Sequence, residues 1–139
     1  MPFEGGERLR EAYRSARAGG YAFMANNIAE QNVLLGLIAA YVEARSDLIV
    51  QISPGAARFA GGGDLRTGLR GLSRMIHELA EAVPISVFIN LDHFTIGEID
   101  VIEEAIEERL VSSIMIDASR EDFAENVKIS RTAVDMAKG

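Results

Sequence analysis

Hydrophobic and polar positions follow a pattern that repeats four times along the chain. In each repeat a short apolar run ends in polar residues, and a segment with apolar positions at helical spacing comes after it. The apolar runs predict strands at residues 21–27, 48–53, 85–91 and 113–117. The repeat therefore predicts a protein in which strands and helices alternate.

Start and stop signals locate the predicted helices, the first of which covers residues 29–45. Asp64 is suited to cap the next helix, which Pro84 ends. Thr95 and Glu98 have the spacing of a capping box ahead of a helix that continues to about residue 110. Ser119 is the predicted cap of the last helix. The predicted inner face of that helix consists of Phe123, Val127 and Val134.

Two further segments complete the predicted domain organisation. Residues 7–18 predict a short extra helix, so the chain is expected to form one domain over residues 1–139, with a leading helical segment at 1–19 and four β/α units over 20–139. Residues 54–63 are rich in glycine and predict a loop. Such a loop can bind phosphate through its backbone amides, but a flexible connector is the slightly favoured interpretation.

The alternation of strands and helices fits two architectures, a doubly wound open sheet or part of a TIM (β/α)8 barrel. An open sheet concentrates its site at one switch point, whereas a barrel gathers polar groups from several strand ends. Polar residues follow every predicted strand: Asn26 and Asn27, then Gln51 and Ser53, then Asn90, Asp92 and His93, then Asp117 and Ser119. Neither nucleotide-binding glycine motif is present. We therefore favour four parallel β/α units of a barrel, which is half of one.

Composition excludes several classes of function. The net charge of -7 opposes nucleic-acid binding, because phosphates favour a basic surface. The absence of cysteine excludes disulfides and thiolate metal sites. No apolar run is long enough to span a membrane, and the first residues lack the apolar stretch of a signal peptide. We expect a cytoplasmic protein that binds neither nucleic acid nor membranes.

Asp92 and His93 are the main candidates for chemistry. In one interpretation His93 binds a metal and Asp92 moves a proton beside it; in the other, Asp92 caps the next helix and His93 packs against it. From spacing alone the two have about even odds. The second histidine, His77, is predicted to lie on a helix surface. Because catalytic zinc commonly takes three protein ligands, either the metal interpretation is wrong or the remaining ligands lie outside this chain.

Two other chemistries find little support in the sequence. A Schiff-base aldolase needs a desolvated lysine at a strand end, and the lysines, Lys128 and Lys138, both lie in the region of the last helix. A serine hydrolase of the G-x-S-x-G type is disfavoured, because that motif is absent and nothing in the spacing ties Ser53 to His93.

Four segments of the chain resemble class II, metal-dependent fructose-bisphosphate and ketose-bisphosphate aldolases. Residues 21–27 resemble the first strand of that family and residues 50–56 its second strand and loop. Leu91-Asp92-His93 resembles the catalytic core motif, and residues 115–119 with 125–127 resemble the fourth strand and its helix. Phe94 and Arg120 depart from the residues common in the family, which puts substrate preference in doubt more than reaction type.

The resemblance implies reversible aldol cleavage of a ketose 1,6-bisphosphate into glycerone phosphate and an aldehyde phosphate. His93 would bind a divalent metal, usually Zn2+, and Asp92 would be the general acid/base. Asp117 matches a position near an auxiliary cation site, and Ser53 with Asn26 or Asn27 would lie beside the substrate. Family members continue with further strands and two more metal histidines. A second polypeptide or self-association of two halves would supply them, or the chain is a fragment of a longer protein. A non-catalytic association module is the alternative function.

Overall fold

The computed structural model describes residues 5–138, so residues 1–4 and 139 of the predicted domain lie outside the described part. Helices and strands alternate as predicted. The helices are α1 (Gly6–Gly19), α2 (Gln31–Ala44), α3 (Pro54–Ala60), α4 (Leu65–Glu81), α5 (Ile99–Glu107) and α6 (Phe123–Met136), and the strands are β1 (Ala25–Asn27), β2 (Leu48–Ile52), β3 (Val87–Phe94) and β4 (Ser113–Ile116). Within the described residues, no helix combines the length and apolar character needed to cross a bilayer.

The four strands form one parallel sheet in the order β1-β2-β3-β4. Each strand is hydrogen-bonded to its neighbour in the sequence, so the described sheet contains no point at which the strand order reverses. A doubly wound sheet has such a reversal, whereas a (β/α)8 barrel adds its strands in sequence. The architecture is therefore that of half a barrel, as predicted.

The observed bounds of the strands differ from the predicted bounds. The first strand covers only Ala25–Asn27, since residues 21–24 precede it without ladder pairing. The third strand continues through Asp92 and His93 to Phe94, three residues beyond its predicted end. The fourth ends at Ile116, one residue early. Strand length is set by pairing with the neighbouring strand, which an apolar run alone does not specify.

The predicted loop after the second strand is wrong over most of its length, because its first seven residues form α3. Ser53 caps this helix by accepting a hydrogen bond from the Ala56 amide at 3.2 Å. Pro54 occupies the first turn, where its missing N–H costs nothing. Burial of the small side chains of Ala56 and Ala57 fixes the helix against its neighbours. Gly55 lies in the first turn of α3, and the other three glycines of this segment, Gly61 to Gly63, follow the helix.

The predicted start and inner face of the last helix are also wrong. Asp122, not Ser119, is the cap, with Oδ1 accepting from the Glu125 amide at 3.0 Å. Phe123 is 85% exposed and Val134 is 50% exposed. Val127 is half-buried, and the buried residues of the helix are Ile129 and Ala133. The buried face of the helix therefore excludes two of the three residues predicted for it.

Two apolar clusters cover the two faces of the sheet. On the outer face, alternate residues of β2 and β3 pack against α2, α4 and α5. On the inner face, Leu9 of α1 packs on Ile49 and Phe88. The inner cluster covers only the end of the sheet where the strands begin. The opposite end of the inner face, where the strands finish, carries polar residues.

The short helix α3 lies so close to α4 that a glycine is required between them. A Cβ on Gly68 of α4 would lie 1.7 Å from the carbonyl oxygen of Ala57 in α3, far inside van der Waals contact. A Cβ on Gly71, one turn further along α4, would meet nothing within 4 Å. Contact through Gly68 therefore fixes α3, and with it the loop that follows β2.

We predict that Gly68→Ala lowers the free energy of unfolding by about 2 kcal/mol or more, because the methyl group forces the two helices apart. Gly71→Ala is the matched control, and we expect it to raise that free energy by about 0.5 kcal/mol through helix propensity. Chemical denaturation followed by circular dichroism measures both. Equal effects of the two variants would contradict the close contact.

Candidate active site

A row of polar side chains crosses the inner face of the sheet near the ends of the strands. Asn27 is in register with Gln51, Gln51 with Asn90, and Asn90 with Ser113, so that all four strands contribute one residue. The Ser113 hydroxyl donates to Oδ1 of Asn90 at 2.7 Å. The apolar pair Ile49 and Phe88 lies one layer below. The row therefore forms the floor of a polar bowl above an apolar base.

A β-bulge in β3 turns two adjacent side chains toward this bowl. Leu91 pairs with Ile114 and Phe94 pairs with Ile116, so two residues, Asp92 and His93, lie opposite a single residue of β4. Successive side chains normally alternate between the faces of a strand, and a bulge interrupts that alternation. His93 has a φ of 55°, in the left-handed region. This backbone places its imidazole on the same face as the Asp92 carboxylate, with 4.0 Å between Nε2 and Oδ1.

Asp117, which directly follows β4, lies on the other side of the imidazole. Its Oδ2 is 2.8 Å from Nδ1 of His93, and its Oδ1 accepts from the Ser119 amide at 2.9 Å. Its own amide donates to the Phe94 carbonyl at 2.6 Å, which ties the ends of the two strands together. Hydrogen bonds from Ser119 and from His93 hold the pKa of Asp117 well below its ordinary value. Asp117 is therefore an ionised acceptor, and Nδ1 of His93 carries a hydrogen.

His93 lies between two acids, and its ionisation responds to both. The hydrogen bond to Asp117, followed by the charge of Asp92, raises the pKa of His93 above its ordinary value. The imidazole side chain is 61% exposed, whereas Asp92 is only 13% exposed. Water can therefore reach Nε2 freely while the neighbouring carboxylate is largely enclosed. This arrangement supplies an available ring nitrogen beside a shielded acid/base group.

Gln51 is a member of this site to which the sequence analysis gave no role. Its Nε2 donates to Oδ1 of Asp92 at 3.1 Å across the two neighbouring strands. The bond holds the carboxylate toward the bowl and leaves its other oxygen free for chemistry. The signal that could have revealed it is spacing: Gln51 lies two residues before the end of the second predicted strand, and Asn90 lies one residue before the end of the third. Without the register of the two strands, that spacing has no meaning.

The other candidate residues have different positions relative to the bowl. Asn27 faces it, and within residues 5–138 its side chain makes no hydrogen bond. Asn26 points to the opposite side, where its amide donates to the Tyr41 hydroxyl at 2.8 Å. The Ser53 hydroxyl is used as the cap of α3. His77 is half-buried rather than on the surface, with Nε2 at 3.1 Å from the Leu110 carbonyl oxygen.

The donor set fits part of a metal site. A metal-binding imidazole commonly donates its second nitrogen to a carboxylate, as Nδ1 of His93 does to Asp117, and this leaves the lone pair of Nε2 available. Over residues 5–138, however, no group of three or more His, Asp or Glu side chains is arranged to hold a metal ion. The described residues therefore fit one ligand position and its supporting acid.

In-order parallel strands with a carboxylate and an imidazole at their carboxyl ends define half of a (β/α)8 barrel with a polar site in its usual position. Residues 7–139 match the family described as class-II fructose-bisphosphate aldolase. The chain belongs to this family, which confirms the resemblance noted in its sequence.

The relatives are longer than this chain. It is 38% identical over 130 residues to the fructose-bisphosphate aldolase of Treponema pallidum (strain Nichols), covering 92% of this chain and 37% of the relative. The crystal structure of fructose-bisphosphate aldolase from Campylobacter jejuni superposes with a TM-score of 0.89 at 26% identity, covering 97% and 43%. The YdjI aldolase from Escherichia coli K12 gives 0.76 at 27% identity, covering 97% and 47%. The chain thus spans less than half the length of these relatives.

We predict that Asp117→Asn lowers the pKa of His93 in the metal-free chain, because it weakens the hydrogen bond that the ring donates and also removes a charge that favours the imidazolium. A histidine with a raised pKa adds stability below its unfolded pKa and loses it as pH rises through the folded value. The difference in free energy of unfolding between the unaltered chain and Asp117→Asn should therefore decrease as the pH rises from the unfolded to the folded pKa of His93. NMR titration of the His93 ring measures the pKa, and denaturation at several pH values measures the stability.

Asp122→Asn is the control for this prediction, since it removes the same charge from the same loop. Asn caps a helix as well as Asp does, so the start of α6 is preserved. We expect the pKa of His93 to stay near its value in the unaltered chain. An equal decrease in both variants would mean that general charge, not the Asp117 contact, raises it.

Proposed function

We propose that the chain forms the first half of a metal-dependent aldolase that reversibly cleaves a ketose 1,6-bisphosphate in the cytoplasm. Fructose 1,6-bisphosphate is the preferred candidate, with glycerone phosphate and glyceraldehyde 3-phosphate as the products. The observation that carries the proposal is the bulge that turns Asp92 and His93 into one bowl, in a chain that belongs to the class II aldolase family. Names of the relatives support the choice of substrate.

Each residue of the cluster has a distinct part in this proposal. Nε2 of His93 is one ligand of a divalent metal, usually zinc, and a bound metal polarises the ketone oxygen. Asp117 holds the hydrogen on Nδ1 of the same ring, and its predicted role at an auxiliary cation site remains part of the proposal. Asp92, oriented by Gln51, takes up and returns the proton of the substrate C4 hydroxyl. Its low exposure keeps that proton from bulk water.

Substrate contacts form the second part of the proposal. Asn27 is the better supported of the two asparagines, because its amide faces the bowl and is free within the described residues. Asn26 would have to leave Tyr41 to reach a substrate. Ser53 lies at the end of β2 and can donate its hydroxyl hydrogen while its oxygen still caps α3.

A complementary half is needed to complete the site in this proposal. The ligand count supports it, because His93 is one imidazole where catalytic zinc commonly has three protein ligands. The edge of β4 supports it as well: a groove of about 450 Å³ runs between α1, β4 and α6. An added strand at this edge would satisfy its free backbone groups. The partner is either a second chain that carries the remaining strands or another copy of this chain.

Reconstitution tests the function directly. We expect no cleavage of fructose 1,6-bisphosphate by the isolated chain, and metal-dependent cleavage after addition of the part of the Treponema pallidum aldolase that this chain does not match. In the reconstituted enzyme, Asp92→Asn should reduce kcat about 100-fold or more, because an amide cannot take up the proton. The variant keeps an oxygen for Gln51, so the unfolding midpoint should not change.

Asp100→Asn serves as the control in that assay, since Asp100 is an acid on the outer helix α5 that pairs with Arg66 away from the bowl. We expect it to retain full kcat. Cleavage by the isolated chain, or full activity of Asp92→Asn, would contradict the proposed division of the site.

The two histidines provide a second, activity-independent test. We predict that His93→Ala reduces zinc affinity of the reconstituted protein by at least about tenfold, because one of its ligands is lost. His77→Ala should leave the affinity unchanged, since that imidazole is bonded to Leu110 at the other end of the sheet. Competition with a chromogenic chelator measures both, and an equal loss in the two variants would argue against His93 as ligand.

A non-catalytic association module is the alternative function. The groove beside β4 favours it as much as it favours a split enzyme. Native mass spectrometry of the reconstitution mixture separates the two. A stable complex that neither binds zinc nor cleaves the substrate would support the module.

A further inference from the structure

The segment directly after His93 is held by one acidic side chain. Oε2 of Glu98 accepts from the Thr95 amide at 2.8 Å and from the Thr95 hydroxyl at 2.6 Å, which closes a capping box around the 3₁₀ turn Ile96–Glu98. Thr95 follows His93 by two residues, and the intervening Phe94 is completely buried. The capping box therefore fixes the backbone immediately downstream of the left-handed residue.

The same carboxylate joins this segment to the preceding β/α unit. Oε1 of Glu98 is 3.1 Å from a terminal nitrogen of Arg58, which lies on α3 after β2. Glu98 is only 16% exposed, whereas Arg58 is 47% exposed. Partial burial alone raises the pKa of Glu98, but the hydrogen bonds from Thr95 and Arg58 outweigh burial and the net shift is downward. Glu98 is thus ionised and hydrogen-bonded to both Thr95 and Arg58.

Arg58 lies on α3, whose position is fixed by its cap and by its packing. Its helix is capped by Ser53 and packed against α4 at Gly68, where no side chain fits. A cation on a fixed helix restrains the position of the acid that it binds. The Arg58–Glu98 pair therefore links α3, which follows β2, to the turn after β3, on the end of the sheet that bears the candidate active site.

The other ion pairs between elements have a different setting. Arg66, Arg70 and Arg74 of α4 lie opposite Asp100 and Glu104 of α5 and Glu108 directly after it, on the outer surface of the half barrel. Those pairs connect two helices and do not touch a strand end. They provide a comparison of the same chemistry at a site where it serves helix packing alone.

We propose that Arg58 and Glu98 are positioning residues for His93: the pair holds the turn after β3 and so keeps the imidazole between Asp92 and Asp117. The inference rests on the proposed function only for the consequence in catalysis. Loss of the pair frees the turn, and the left-handed backbone at His93 then loses part of its support. Neither residue needs to touch the substrate for this effect.

Amide hydrogen exchange tests the positioning in the chain itself. In Arg58→Ala we expect exchange at Thr95 and Asp117 to accelerate by about threefold or more, since both amides report on the backbone around Phe94. Arg58→Lys restores a cation and should return exchange toward the original rate. Arg70→Ala is the matched control, with an exposed pair of the same kind, and should leave both amides unchanged.

The exchange rates at Thr95 and Asp117 decide whether the proposal holds. Unchanged exchange at Thr95 and Asp117 in Arg58→Ala, or equal acceleration in Arg70→Ala, would overturn the proposal. Glu98→Gln provides a second variant, because it keeps the shape but removes the charge that attracts Arg58, and it should accelerate exchange at Asp117, whose amide Glu98 does not contact, in the same way.

Kinetics in the reconstituted enzyme add a readout that a purely structural role would not move. We expect Arg58→Ala to lower kcat about fivefold with little change in KM, and Arg58→Lys to recover most of it, because the effect acts on geometry rather than on binding. Full kcat in Arg58→Ala would overturn the catalytic consequence. If the unaltered reconstituted protein has no activity, the proposed function fails while the exchange test still decides the positioning.

Discussion

The left-handed backbone at His93 is the constraint on which the site depends. With an extended residue at this position, strand alternation would send the imidazole into the outer apolar cluster and Phe94 into the bowl. The bulge reverses both placements: Phe94 is fully buried in the outer cluster and His93 faces Asp92. A left-handed conformation costs a residue with a side chain about 1–2 kcal/mol. Burial of a phenylalanine gains about 2–3 kcal/mol, so the fold itself stabilises the geometry that the chemistry needs.

Register makes the rest of the bowl consistent with that bulge. Because Asn27, Gln51, Asn90 and Ser113 share one row, the floor of the bowl is polar across all four strands. A slip of one residue between β2 and β3 would place an apolar side chain in this row and a polar side chain in the core. The packing that excludes such a slip is the same packing that brings Gln51 within reach of Asp92. Site geometry is thus a consequence of the outer core.

Local signals were sufficient for much of this architecture, and long-range pairing accounts for what they missed. The capping box at Thr95 and Glu98, the Asp64 cap and the polar strand ends depend on a few neighbouring residues, and the structure confirms them. Asn26 could not be separated from Asn27 because the phase of the first strand is set by β2. Ser119 and Asp122 are both good caps, and bonds across the loop decide between them.

Those bonds illustrate why the choice of cap is invisible in the sequence. The carboxylate of Asp117 accepts a hydrogen bond from the Ser119 amide, and the side-chain amide of Asn126 donates one to the Ala118 carbonyl at 2.8 Å. The loop is therefore ordered by a residue that also contacts His93, and α6 begins only after it. The bulge in β3 was missed for the same kind of reason, since it exists only in relation to the pairing of β4.

Completion of the core and completion of the site have one physical cause in the proposed assembly. The outer face is closed by helices and the base of the inner face by α1, so most of the half barrel already has a buried core. The β4 side does not: Ile114 and Ile116 are only partly buried, and Met115 is 39% exposed. A strand added at this edge buries those side chains and, in the same step, brings new residues to the rim beside His93. The free energy of association then comes from burial of apolar side chains along β4, which leaves the polar groups of the bowl free to bind ligands.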